Sequence, residues 1–195
     1  MLKMPEKIKS EHIILTRPFP VTFELANEIF EKIDSSRDTL RKWLSHIDLT
    51  KKPEDRFPWL MNQIQKWAAG ESFAYMIRGQ KTNTLLGGID LVHYSEEHKS
   101  AEIGYWLSND AVGHGYVTEA VNILENIAFS QDLHRIVIRN DTKNVRSDNV
   151  PKRCGYHLEG TLRSLKWSEY WKSFRDINVW SKLKPEWEIQ QKKKL

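Results

Sequence analysis

The chain has 195 residues, 39% hydrophobic and 29% charged, with a formal charge of +4 at pH 7, which suits one domain with a real core and excludes a disordered chain. No apolar run approaches the roughly 20 residues of a membrane-spanning helix, and a single cysteine, Cys154, excludes an internal disulfide. With no CxxC or clustered His/Cys pattern no metal is expected, and with no apolar core in MLKMPEKIKSEH no signal peptide is expected, so the chain is placed in the cytoplasm with no membrane partner.

In chain order, HIILTR (12–17) reads as a first strand, closed by Pro18 and Pro20. The apolar positions Phe23, Ala26, Ile29, Phe30 and Ile33 lie on one helical stripe. A second helix is expected from Ser36, a candidate cap, through Leu40, Trp43, Leu44 and Ile47, and a third from about Pro53 to Ala69, stopped by Gly70. The period then becomes extended: 73–79, 85–94 and 101–108 read as an antiparallel meander. A helix from Val117 to about Ser130 follows, then a strand at 135–140 that a helical crossover makes parallel to the one before the helix. A short helix at 147–154 and a closing strand at 174–183 complete a single domain over 1–195, with about 186–195, including QQKKKL, expected as a disordered basic tail. The fold class is α/β (α+β), with a mixed sheet covered by helices.

The stretch VGHGYVTEA (112–120) places Gly113 and Gly115 between a strand and a helix. Bare backbone at a helix N-terminus gathers unpaired N–H groups and the positive end of the helix dipole, which suits a phosphate. A turn that merely needs positive φ is the alternative. Dinucleotide binding fits poorly, because Thr118 stands at the third glycine and the preceding segments form a meander; a phosphate loop of the GK[ST] type is absent.

AEIGYWL (101–107), GHGYVTEA (113–120), NVRSDNV (144–150) and CGYHLEGTLR (154–163) occur in that order. Together they resemble the GNAT superfamily of acetyl-CoA-dependent N-acetyltransferases, in its ribosomal-protein N-terminal acetyltransferase (RimJ/RimL) branch, and the likeness spans nearly the whole chain. The resemblance implies a mostly antiparallel central sheet with one splayed parallel pair and helices on both faces. It implies acetyl-CoA as donor, with coenzyme A as product. Strand residues Trp106, Leu107 and Ser108 would then offer backbone to the pantetheine, and Gly113, His114, Gly115, Tyr116, Val117 and Thr118 would hold the pyrophosphate. Asn144 would also touch the cofactor. Asp110 stands where the superfamily has Gln or Arg, and is expected to point away from phosphate. His114 could add partial positive charge, or could simply face solvent.

Acetyl transfer to an amine needs a neutral nucleophile, a polarised carbonyl and a proton for the departing thiolate. The resemblance puts Glu102 forward as base, against the plainer reading of an edge salt bridge. Pro151 occupies the slot of the tyrosine that many members use as acid, and Ser147 is the substitute implied by the ribosomal branch; Ser147 or Asp148 could instead cap the short helix. Lys166 stands where ribosomal relatives carry a glutamate, with Glu169 near. Trp167, Tyr170, Trp171 and Phe174 could form an acceptor platform or pack around the closing strand, and Trp43, Trp59 and Trp67 share that ambiguity.

The leading expectation is an enzyme that acetylates a primary amine, first of all a protein N-terminal α-amine, with a homodimer allowed by the resemblance. A detoxifying enzyme for an antibiotic or aminoacyl-nucleotide is the alternative within the class. A non-catalytic acyl-CoA-binding or RNA-binding module is the alternative outside it, and no direct nucleic-acid partner is expected because the lysines are scattered among acidic neighbours.

Overall fold

Residues 2–193 are described by a computed structural model, in which one eight-stranded sheet runs in the order β1-β2-β3-β4-β5-β6-β8-β7. The strands are β1 (Lys7–Lys9), β2 (Ile13–Thr16), β3 (Phe73–Gly79), β4 (Leu85–Ser95), β5 (Ser100–Leu107), β6 (Arg135–Asp141), β7 (His157–Ser168) and β8 (Ser173–Leu183). All neighbours are antiparallel except β5 and β6, which run parallel. Six α-helices accompany them: α1 (Phe23–Asp34), α2 (Arg37–Leu40), α3 (Phe57–Ala69), α4 (Tyr116–Ser130), α5 (Val145–Cys154) and α6 (Lys184–Lys192). Among the described residues no helix is long and apolar enough to cross a membrane.

Extended chain sends successive side chains to opposite faces, so the central strands β3 and β4 feed two cores. Tyr75, Ile77, Ile89, Leu91 and Ile103 meet Val121, Leu124, Ala128 and Phe129 of α4. On the other face Met76 meets Ala26, Ile29 and Ile33 of α1 and Leu60 of α3. Each of these large side chains contributes about 1.5–3 kcal/mol by leaving water. The expected meander, crossover helix and parallel strand all form, and Gly70 ends α3 in the left-handed region at φ 70°.

Four elements differ from expectation. The helix expected from Ser36 to Ile47 is broken after α2: Leu44 turns extended and a 3-10 turn covers Ser45–Leu49. The Arg37 guanidinium stabilises the break by donating to the carbonyls of Ile47 at 2.9 Å and Thr50 at 2.6 Å. Ser36 stands at the N-cap of α2 as expected, but its side chain makes no capping hydrogen bond; its hydroxyl accepts the Asn109 N–H at 2.9 Å. Strand β1 was not expected, and neither was β7, whose residues are exposed almost throughout and whose pairing with β8 is interrupted twice, between Leu158 and Gly160 and between Leu162 and Lys166. Helix α6 occupies most of the stretch expected as a disordered tail, of which 194 and 195 lie outside the described residues. It is anchored by Trp187, which packs on Phe129 and donates to Asn126 at 2.6 Å, and by Gln190, which accepts from the fully buried Lys182 at 2.9 Å.

The parallel pair matters most for the site. β5 and β6 pair only from Ser100 to Glu102 against Arg135 to Val137, although β5 continues to Leu107. β6 meanwhile stays paired with β8 along its whole length, so the divergence opens the sheet between β5 and β6. Backbone groups of β5 beyond Glu102 are left without a strand partner on that edge.

Candidate active site

A cavity of about 990 Å3 occupies the opening. Strand residues Glu102, Gly104, Tyr105, Trp106 and Leu107 line it from β5, and Arg139, Asn140 and Asp141 from β6. The glycine loop and the first turn of α4 close one end, and Trp43, Trp167 and Tyr170 close the other. The volume is at the upper end of what ligand pockets usually offer, which fits an extended cofactor and an acceptor together.

At the loop end, Gly113 and Gly115 take φ of 89° and 80°, and a Cβ built on either would meet nothing within 4 Å. The room around them is therefore open on the cavity side, with Gly115 as N-cap and no side chain of its own to satisfy the first N–H groups of α4. That cradle, with the unpaired edge of β5 beside it, fits a pyrophosphate and a pantetheine arm. Tyr116, Val117 and Thr118 line the cavity. His114 does not; it lies on the outside, stacked on Tyr116 with ring centroids 5.5 Å apart. Ser108 is also turned away: it is fully buried, and both its amide and its hydroxyl donate to the Leu86 carbonyl at 2.9 Å. Asp110 points outward as expected, paired with Lys32 at 2.7 Å, and the Lys32 hydrogen bond holds its carboxyl below the usual range.

In the middle, Asn144 caps α5 by accepting the Ser147 N–H at 3.2 Å, so neither Ser147 nor Asp148 is the cap. This leaves the Ser147 hydroxyl for other work. It donates to the Tyr105 hydroxyl at 3.2 Å, while that hydroxyl donates to the Ser147 carbonyl at 3.0 Å. Burial pushes the Tyr105 phenol up, which keeps it protonated. Asp148 is instead a hub, accepting from Asn140, Asn178 and Trp180 and pairing with Lys152 at 2.6 Å, and thereby ties α5 to β6 and β8. Glu102 lies on the cavity wall, 3.5 Å from the Arg139 guanidinium. On the same face, Asp90 of β4 sits opposite Gly104, where a Cβ would meet its Oδ1 at 2.6 Å. Burial, and then the charge of Glu102, push the Asp90 carboxyl up to about 6.

At the acceptor end the expected platform is partly assembled. Trp167 and Tyr170 line the cavity; Trp171 lies behind them, packed on Trp43 at 6.2 Å and on Tyr170 at 4.9 Å. Phe174 supports Trp167 edge-on at 5.2 Å. Glu169 is engaged on both oxygens, by Trp167 at 2.6 Å and Lys172 at 2.6 Å, and the Lys172 bond holds its carboxyl down, which makes it a poor base. Lys166 lines the cavity and has no carboxylate partner among the described residues. Trp59 and Trp67 belong to the packing instead, Trp59 beside the second core and Trp67 against Phe73 and Tyr75.

Sequence reasoning missed Tyr105, Arg139 and Asp90. Tyr105 was inside a quoted motif, but its contact with Ser147 spans 42 residues and is made only by the fold.

The sequence profile of the acetyltransferase (GNAT) domain family matches residues 16–157. The ribosomal-protein-serine acetyltransferase of Escherichia coli (strain K12) is 26% identical over 156 residues, covering 80% of this chain and 85% of that protein. Among solved structures, the microcin C7 self-immunity acetyltransferase MccE, in complex with acetyl-CoA and AMP, superposes with a TM-score of 0.84 at 24% identity, over 92% of this chain and 97% of that one. RimL, a ribosomal L7/L12 α-N-protein acetyltransferase in complex with coenzyme A, superposes with a TM-score of 0.83 at 20% identity, over 91% and 98%. At those identities the two structures establish a shared fold.

Proposed function

The chain belongs to the GNAT acetyltransferase family and is an acetyl-CoA-dependent N-acetyltransferase, and we propose that its acceptor is the α-amine of a protein N-terminus, reached in the cytoplasm. The observation that carries the proposal is the single cavity joining the glycine cradle of α4 to Glu102 and to the aromatic end. The Escherichia coli relative, named for ribosomal-protein serine, supports this acceptor class.

In the proposed reaction the amine attacks the thioester carbonyl carbon, a C–N bond forms and the C–S bond breaks. Acetyl-CoA supplies the activated acetyl group. Glu102 takes the proton that the amine must lose, directly or through a water, and Arg139 keeps the carboxylate oriented toward the cavity. The free backbone edge of β5 polarises the carbonyl. Ser147, held by the Tyr105 hydroxyl at 3.2 Å, gives its hydroxyl proton to the departing thiolate. The proton that Glu102 takes from the amine is released to solvent, and Ser147 takes one back from solvent, which restores both groups.

A second reading has its own observation. Trp43, Trp167 and Tyr170 form a wall for a planar group, and Lys166 beside them lacks a carboxylate partner among the described residues, as an aminoacyl-nucleotide would require. The deciding experiment incubates the protein with acetyl-CoA and peptides bearing free or blocked N-termini, beside aminoacyl-nucleotide analogues, and locates acetyl groups by mass spectrometry. Acetylation at free N-termini alone is expected. Products only on lysine side chains or on the nucleotide analogues would overturn the proposal.

A further inference from the structure

A pyrophosphate brought to the glycine loop needs positive charge, and the loop itself carries little. Between Ser108 and Thr118 the acidic and basic side chains are Asp110, which Lys32 neutralises, and His114, which does not line the cavity. The N–H groups of α4 offer partial charge only. A full cation has to come from another element.

Arg153, in the last turn of α5, lines the cavity together with Gly113, Gly115 and Thr118. Its Nε donates to the Thr118 hydroxyl at 3.2 Å, and that threonine stands in the first turn of α4. The Cys154 thiol, next in the chain, reaches the Thr118 carbonyl at 3.9 Å, so this end of α5 is laid against the start of α4. No carboxylate pairs with Arg153 among the described residues, and neither of its Nη groups has an acceptor. Its charge acts on the Tyr105 phenol within the same cavity. Arg146 lines the cavity from the opposite end of α5, but no hydrogen bond ties it to the loop.

We propose that Arg153 is a donor-binding residue: Thr118 aims its guanidinium across the glycine loop so that the free Nη groups contact the pyrophosphate of acetyl-CoA, supplying the cation that Asp110 does not. The inference rests on acetyl-CoA being the donor. Arginine suits the task because its planar fork presents two parallel donors to phosphate oxygens and stays charged at any physiological pH. Fixing Nε on Thr118 leaves those two donors in one orientation before the ligand arrives, which reduces the ordering cost of binding.

The test is calorimetric titration of wild type, Arg153→Ala, Arg153→Lys and Lys152→Gln with acetyl-CoA, and with acetyl-dephospho-CoA, which lacks the ribose 3′-phosphate but keeps the pyrophosphate. Arg153→Ala is expected to weaken both ligands equally, by about 10- to 100-fold. Arg153→Lys should recover part of the loss, and Lys152→Gln, which removes the same charge from a residue pointed at Asp148, should bind as wild type does. The wild-type advantage over Arg153→Ala should shrink as salt rises. Unchanged affinity in Arg153→Ala would overturn the proposal. So would a loss seen with acetyl-CoA and absent with acetyl-dephospho-CoA, which would assign Arg153 to the 3′-phosphate. An equal loss in Lys152→Gln would reduce the effect to general charge and overturn it too. Wild type binding neither ligand would remove the donor assignment itself, a result distinct from all of these.

Discussion

Gly115→Ala separates the two roles that the glycine loop could play, because a turn and a phosphate cradle respond differently to one methyl group. Gly115 holds φ 80° and ψ −2°, left-handed values that an L side chain enters at a cost of about 1–2 kcal/mol. No steric cost adds to this, since the new Cβ would meet nothing within 4 Å. For a chain of this length the strain corresponds to a melting temperature lowered by about 2–8 °C. The methyl would stand in open space beside a residue that lines the cavity, and the cradle reading requires it to crowd a phosphate held there. Losing one hydrogen bond to a charged group costs about 1.5–3 kcal/mol, or about 10- to 100-fold in Kd. Thermal unfolding and calorimetric titration of acetyl-CoA on the same preparations give both quantities. Gly115→Glu, which adds a negative charge, should abolish binding. If Gly115→Ala loses the expected stability but binds acetyl-CoA with unchanged Kd, the glycine serves the turn alone and the cradle argument is refuted.

Removing the Ser147 hydroxyl as Ser147→Ala should lower kcat by about 100-fold or more with little change in the Kd of acetyl-CoA, and Tyr105→Phe should give a smaller drop; equal kcat in Ser147→Ala and wild type would remove the serine from the proton path. Asp90 yields a stability prediction with a definite sign. Its folded pKa of about 6 lies above the unfolded value of about 3.9, so between those pH values the folded chain keeps a proton that the unfolded chain has released. Stability therefore falls as pH rises through that window and is level above it. Glu102, Lys66 and the N–H groups of Asp90 and Gly104 are the groups that act on this carboxyl. Asp90→Asn should remove the slope, gaining about 1–3 kcal/mol on wild type between pH 4 and pH 7 after allowance for partial exposure; parallel urea-unfolding curves at the two pH values would contradict it.

Helix α4 shows why parts of this fold could be read early. Val117, Ala120, Val121, Leu124 and Ala128 repeat at helical spacing and all are buried, so the residues alone specify which stripe faces the sheet. The central strands and the parallel partner β6 were legible for the same reason, since their apolar residues must leave water whatever the rest of the chain does. Strand β7 has no such signature. HLEGTLRSLKWS is held by its ladder to β8 with hardly a side chain buried, and hydrogen bonding to a neighbour leaves no periodic mark in the sequence. Helix α6 was hidden in another way: QQKKKL looks solvated, and Trp187 and Gln190 become anchors only when Asn126, Phe129 and Lys182 are near.

The site divides along the same line. Gly113, Gly115, Glu102 and Ser147 stand out in the sequence because each lies in a short motif whose residue types suggest chemistry. Their partners do not: Arg139 beside Glu102, Tyr105 on Ser147, Lys32 neutralising Asp110 and Arg153 on Thr118 are separated from them by between 35 and 78 residues. Local sequence determined the two-face sheet, its crossover helix and the glycine turn, since backbone conformation and hydrophobic period are set by neighbours along the chain. Only tertiary structure decided that the splay implied by the family resemblance begins after Glu102, that the Ser108 and His114 side chains leave the cavity, and which charges meet, because those depend on side chains brought together from distant segments.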